Sequence, residues 1–329
     1  MIGLSEIVSG PGAGHLSLLT LPAFDWQRIV IAPWTEDFPT WGWVVLMGFL
    51  VALSCGVLGN FLVLRRMSLV GDAISHSILP GIAIAFLLTD SRSPLVMFAG
   101  ALGAGLVTAA LMEIIQRNSR IKQDAAMGIV FSTMFALGVV LISGFAGHVD
   151  LDADCVLFGE LALVSMEGDP AAATWLAAAP ASVVIMGVVC LLVLVLIAVF
   201  YKELLVTTFD PALAATLGMR PALVHYVLMA ALSVVVVSAF RAVGAILVVA
   251  MLILPGATAY LIARRLPAML ALSALHAALS AVIGIHIGLW LDVSIAAAMA
   301  VVGAALLAVA WAAVAFRLHA LRRGVRGEP

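Results

Sequence analysis

Charge is scarce in this sequence: 10% of its 329 residues are Asp, Glu, Lys or Arg, against about 25% in a soluble globular domain. The few charges nearly cancel, with 16 basic and 18 acidic residues, so no field gathers a polyanion and nucleic acid is excluded as a partner. Cysteine is scarcer still. Cys55, Cys155 and Cys190 are odd in number and unrelated in position, which supplies neither a disulfide framework nor a zinc cluster. Also missing are GxxxxGK[ST], HExxH, GxSxG and any paired-aspartate motif. The chain therefore carries no phosphate-binding loop of its own, and an intramembrane hydrolase would have to be assembled from Asp72, His76 and Ser68 or Ser75. No internal repeat stands out, whereas a gradient-driven secondary transporter predicts inverted ones. No segment between apolar runs reaches the roughly 50 residues of a folded domain.

What the chain has instead is lipid-compatible sequence, with 64% hydrophobic residues and a mean hydropathy of +1.22. Taking about 20 apolar residues as one crossing, we read candidate helices near 41–64, 69–89, 94–115, 125–145, 177–200, 221–240, 243–263, 268–290 and 293–316. This predicts an all-α polytopic transmembrane bundle of about eight or nine helices. The runs 221–240 and 243–263 are parted only by Arg241 and Ala242, so they read either as two crossings or as one broken or re-entrant element. The positive-inside rule checks the count. With the N-terminus outside, Arg65, Arg66, Arg117, Arg120, Lys122, Lys202, Arg220, Arg264, Arg265, Arg317, Arg322, Arg323 and Arg326 fall on the cytoplasmic side. Of the 16 basic residues only Arg28, Arg92 and Arg241 do not. Acids collect on the opposite side: Glu36, Asp37, Asp90, Asp150, Asp152, Asp154, Glu167, Asp169 and Asp292. Residues 1–40 lack the basic start and apolar core of a signal peptide, carry Trp26 and Trp34, and read as an external interfacial segment. Residues 41–316 form the membrane domain, with 201–220 its longest inner loop, and 317–329 form a basic cytoplasmic tail.

Against this background the polar residues need an account. Asp72 and His76 are four apart, on one face of a helix. A carboxylate in a membrane helix costs about 2.5–3.5 kcal/mol on insertion scales, so it needs a partner, a water-filled cavity or a task. One reading makes the pair ligands of a divalent first-row cation, which imidazole and carboxylate suit. The other has Asp72 capping the helix and His76 bonded to a neighbour. Pro80 and Gly81 bend this helix or open its ladder, as in helices that line a pathway. His276 and His286 lie nearly three turns apart on one helix; each reads as a further ligand, a proton partner or a histidine bonded to a nearby hydroxyl.

In the inner loop, Asp210 followed by Pro211, Ala-rich turns and Gly218 spell a short amphipathic helix or a plain surface loop. Gly244, Pro255 and Gly256 are breakers inside an apolar run, tolerated where a helix lines a cavity. Arg241 beside them either snorkels to the external interface or repels cations at an outer gate. Asp150, Asp152 and Asp154 imitate an EF-hand opening. The imitation fails at Cys155 and Leu161, where Gly and Glu are required, and leaves a solvated acidic collar.

The run LGNFLVLRRMSLVGDAISHSILPGIAIAFLL, residues 58–88, resembles the signature of the membrane-spanning subunits of manganese, zinc and iron ABC importers, and the likeness extends over about residues 41–316. The resemblance implies a type II ABC importer permease fold and a metal pathway in which Asp72 and His76 take part. FDPALAATLG is similar to the coupling segment of such permeases, which implies that Phe209, Asp210, Pro211, Ala214 and Gly218 dock on an ATPase. Ser238 to Leu266 is similar to a further family stretch, and the acidic loop Gly147 to Leu161 is similar to the region facing an external metal-binding protein. Where many members end the helix of His276 and His286 with a Pro-Ser-Gly turn, this chain reads LDVSI. The implied function is the translocation subunit of an ATP-driven importer of Mn2+, Zn2+ or Fe2+ in a bacterial inner membrane, with its C-terminus cytoplasmic, no permanently bound cofactor and no catalysis of its own. Its implied partners are ABC ATPase subunits, an external metal-binding lipoprotein or periplasmic protein, and a second copy of the permease or a related one. The alternatives are the intramembrane hydrolase and an ion-gradient-driven secondary metal transporter.

Overall fold

Prolines start six of the helices described below, and left-handed residues close four. A computed structural model describes residues 22–67, 69–91, 93–145, 161–168, 174–175 and 177–326, and among these it shows eleven α-helices and no strand. They are α1 Phe38–Leu64, α2 Val70–Ser77, α3 Leu79–Thr89, α4 Pro94–Asn118, α5 Gln123–Phe145, α6 Ala181–Val199, α7 Tyr201–Phe209, α8 Pro211–Thr216, α9 Pro221–Ile262, α10 Leu266–Leu291 and α11 Ile295–Arg326. Proline occupies the first or second position of α1, α3, α4, α8, α9 and α10, where its missing N–H forfeits no helical bond. Asp90, Asp292 and Gly218 turn the chain left-handed at helix exits, with φ of 48°, 53° and 79°. So does Arg66, at φ 59°. There the Arg66 N–H bonds the Val63 carbonyl at 3.1 Å and the Met67 N–H bonds the Leu62 carbonyl at 2.8 Å, a Schellman turn with arginine where glycine is usual.

Among the described residues, eight helical stretches are long and apolar enough to cross a bilayer, with α2 and α3 together making one of them, so this is a multi-pass membrane protein. The doubtful stretch forms two arms that meet at a break in the middle. Gly244, at φ 73° and ψ 170°, divides α9 into the arms Pro221–Phe240 and Ile246–Ile262. Three contacts show that the chain doubles back there. His225 pairs with Glu113 near the C-terminal end of α4. Ser238 and Ala242 share a cavity of about 540 Å³ with Leu95 at the other end of α4. Leu252 then lies against Gly59, near the C-terminal end of α1. The second arm is therefore a ninth, shorter traverse. α10 returns the chain to the starting end of α1, where Trp290 Nε1 donates to the Pro22 carbonyl at 3.1 Å.

The core is organised on α1, 16 of whose 27 residues are buried. Lipid tails are as apolar as leucine, so close packing and polar contacts hold such helices together more than hydrophobicity does. A Cβ on Gly59 would collide with the Leu252 carbonyl, and Gly81 of α3 and Gly100 of α4 stand against each other's carbonyls. Beside Gly59 a buried polar knot joins three helices. Asn60 Nδ2 donates to the Gly56 carbonyl (2.9 Å), and Ser273 of α10 donates to Asn60 Oδ1 (3.0 Å) and lies 3.2 Å from the Pro255 carbonyl of α9.

Candidate functional site

α2 exists as a separate helix because Pro80, at the start of α3, has no N–H to offer the carbonyl of His76 four residues before it. The eight residues of α2 carry Asp72 in their first turn and His76 in their last. The cap position belongs to Leu69, whose side chain makes no cap bond, so Asp72 is not the helix's N-cap. Its Oδ1 lies 3.4 Å from His76 Nε2, with the two side chains 44% and 32% exposed. Both polar groups are thus open to a ligand while sharing one helix face. The imidazole stands beside Phe131 and Phe135 of α5, with centroids 5.5 and 6.3 Å apart. Phe131 is eight residues into α5, about 12 Å along its axis, so the pair lies along the side of α5 and not at its end. The turn before α2 is tucked inward, with Met67 7% and Val70 1% exposed. The Ser75 hydroxyl donates to the Asp72 carbonyl at 2.8 Å and is not aimed at His76 as a nucleophile would be.

At the end of the bundle that bears Arg65 and Arg220, α7 and α8 form the short segment anticipated for residues 202–220. Asp210 caps α8 by accepting the Leu213 N–H at 2.9 Å, Pro211 follows at the first helical position, and Gly218 closes the exit. Ala214 is fully buried, whereas Phe209, Leu213 and Leu217 are 62%, 49% and 60% exposed. An exposed apolar group of this kind marks a contact with a protein or with the membrane. Leu213 and Leu217 were not among the predicted contacts, although their spacing from Phe209 in steps of four was there to be read.

His276 and His286 are engaged elsewhere. His276 is buried, with Nε2 3.2 Å from the Gly303 carbonyl and Nδ1 3.4 Å from the Ser280 hydroxyl. His286 lies ten residues further along, near the C-terminal end of α10, and accepts from Trp34 Nε1 at 3.1 Å. No group of three or more His, Cys, Asp or Glu side chains converges among the described residues. Two contacts escaped the sequence reading. His225 Nε2 meets Glu113 Oε2 at 3.0 Å, and the Arg65 guanidinium reaches across to α7, donating from Nε to Thr208 Oγ1 (3.2 Å) and from Nη2 to Thr207 Oγ1 (3.1 Å). The acidic residues 150, 152 and 154, with Cys155 and Ser68, lie outside the described residues, as does the side chain of Arg241.

Comparison with known proteins gives this geometry a context. Residues 37–314 match the ABC 3 transport family. The chain is 45% identical to the manganese transport system membrane protein MntD of Bacillus subtilis over 258 residues, 78% of this chain and 86% of that one. It is 43% identical to the zinc transport system membrane protein TroD of Treponema pallidum over 268 residues, 82% of this chain and 72% of that one. Among solved structures, it is similar to a chain of PsaBC from Streptococcus pneumoniae in complex with Fab. There the identity is 34% and the TM-score 0.71, covering 87% of this chain and 95% of the other.

Proposed function

Because the chain belongs to the ABC 3 transport family, we propose that it is the membrane-spanning permease subunit of an ATP-driven importer of divalent transition-metal ions. The observation that carries this reading is the open acid–imidazole pair of Asp72 and His76, on one face of a short helix that ends at Pro80. The relatives that move manganese and zinc name the cargo class, and the same two donors accept ferrous iron. One carboxylate and one imidazole are too few to fill a cation's coordination shell. A second permease, identical or related, facing this one would supply the rest, and a site this sparse releases its ion as readily as transport requires.

In this scheme an external metal-binding protein delivers the ion at the acid-rich end. The end bearing Arg65, Lys202 and Arg220 faces the cytoplasm, which places α7 and α8 against separate ATPase subunits. The chain performs no hydrolysis itself. ATPase docking would use Phe209, Leu213 and Leu217 as the apolar contact, while Asp210, Pro211, Ala214 and Gly218 hold α8 in shape. Leu213→Asp is expected to abolish co-purification of the ATPase with the permease. Asp210→Ala, which loses a cap worth about 1 kcal/mol, should weaken it several-fold. Equal ATPase recovery from both variants and wild type would remove α8 from the interface.

The reading as a whole is tested by proteoliposomes holding the assembled complex and given radiolabelled Mn2+ or Zn2+. Uptake is expected only with ATP and the external binding protein. Uptake that needs an ion gradient and ignores ATP would instead establish a secondary transporter.

A further inference from the structure

Arg65 is the side chain by which the α7–α8 segment grips the helix that carries Asp72 and His76. It sits at the C-terminal cap of α1, and its planar guanidinium donates to two adjacent hydroxyls 142 and 143 residues away, those of Thr207 and Thr208. Thr207 is built to receive it. The threonine is 6% exposed, and its own hydroxyl proton is spent on the Glu203 carbonyl at 2.7 Å, which leaves the oxygen free to accept from Arg65. Two parallel donors on a rigid fork fix orientation as well as distance, which a lysine's single rotating ammonium does not.

Both sides of this contact lead directly to the functional segments. Thr207 and Thr208 lie in the last turn of α7, immediately before Phe209 and the Asp210 cap of α8. Arg65 opens the Schellman turn, and that turn is bonded through to α2. Arg66 and Met67 donate back to α1, Val70 donates to the Met67 carbonyl at 3.2 Å, and Ala73 to that of Leu69 at 3.1 Å. Arg66 holds a left-handed conformation at φ 59°, which an L-residue with a side chain adopts only at a cost and which other contacts must enforce. A displacement of α8 therefore has a short, hydrogen-bonded route to the helix of the metal-binding pair.

We propose that Arg65 is a positioning residue for transport: its paired bonds to Thr207 and Thr208 convey movement of α7–α8 to α2, so that ATP-driven changes below alter how Asp72 and His76 hold their ion. This rests on the reading of the chain as an ATPase-coupled metal permease. Coupling of this sort is a free energy shared between two sites, and it is measured as a ratio, not as a rate.

The experiment is metal transported per ATP hydrolysed, using the permease–ATPase complex in proteoliposomes with radiolabelled Mn2+. Arg65→Ala is compared with the nearly isosteric pair Thr207→Val and Thr208→Val, which leaves the arginine in place and removes its acceptors. Both variants are expected to lower the ratio about tenfold while ATP hydrolysis stays within about twofold of wild type. Arg65→Lys is expected to recover only part of it. Combining all three substitutions should be no worse than Arg65→Ala alone, since the residues act through one contact. An unchanged ratio in the threonine variant, hydrolysis and transport falling in step, or additive losses in the combined variant would each overturn the proposal. A wild-type complex that moves no metal would instead overturn the permease reading itself, so the two failures are distinguishable.

Discussion

Asp72→Asn and His76→Gln are each expected to reduce metal uptake about 100-fold or more, because even groups that only support a metal's ligands are worth about 10–100-fold. Both substitutions keep most of the side-chain volume. His76→Gln therefore leaves Phe131 and Phe135 with a neighbour in place of a void. Loss of the protein is not the anticipated cause. Removing the Asp72 charge takes away a group that lipid disfavours, so the amount of permease in the membrane should hold steady or rise while transport collapses. Uptake of radiolabelled Mn2+ and Zn2+, normalised to permease in isolated membranes, measures this. Wild-type uptake by both variants would remove the pair from the pathway.

The second large effect is structural. Gly59→Val should leave little folded permease, because its Cβ would overlap the main-chain carbonyl of Leu252, which cannot swing aside as a side-chain tip does. Overpacking a core costs about 1–3 kcal/mol even when side chains can rearrange. Here α1 and the second arm of α9 would have to separate, breaking the adjoining bonds among Asn60, Ser273 and Pro255. Gly103→Ala and Gly128→Ala are the controls, since nothing lies within 4 Å of a Cβ at either position. Thermal unfolding in detergent, followed by the monodisperse fraction remaining, should place Gly59→Val far below wild type and the controls close to it. A Gly59→Val protein as heat-resistant as its controls would show that these helices are not held at the observed distance.

The crossings are readable from hydropathy because lipid accepts only long apolar stretches whose backbone bonds close internally. The same rule explains why the stretch from 221 to 262 is ambiguous in sequence. Apolar residues on both sides of Gly244 suit a straight helix, a kink or a reversal equally, and only contacts with α1 and α4 distinguish them. Motif spacing shows that Asp72 and His76 share a face, but counting from Arg66 sets them near the membrane boundary. That the turn at Met67 and Val70 before them is buried is a product of packing that no local pattern announces. The cap of α8 is legible because Asp–Pro and a terminal glycine are local signals. The grip of Arg65 on Thr207 and Thr208, and the pairing of His225 with Glu113, join residues far apart in the chain. Single-sequence periodicity carries no trace of either.

The reversal at Gly244 also governs how this protein is made. The second arm of α9 has 17 residues, a rod of about 25 Å, short of the roughly 30 Å hydrocarbon core. That length is at the lower end of what spans a bilayer, so pairing with the first arm as a hairpin is expected to favour its insertion. A nascent chain halted between the two arms would hold its leading arm in place with nothing to answer Gly59 on the far side of α1.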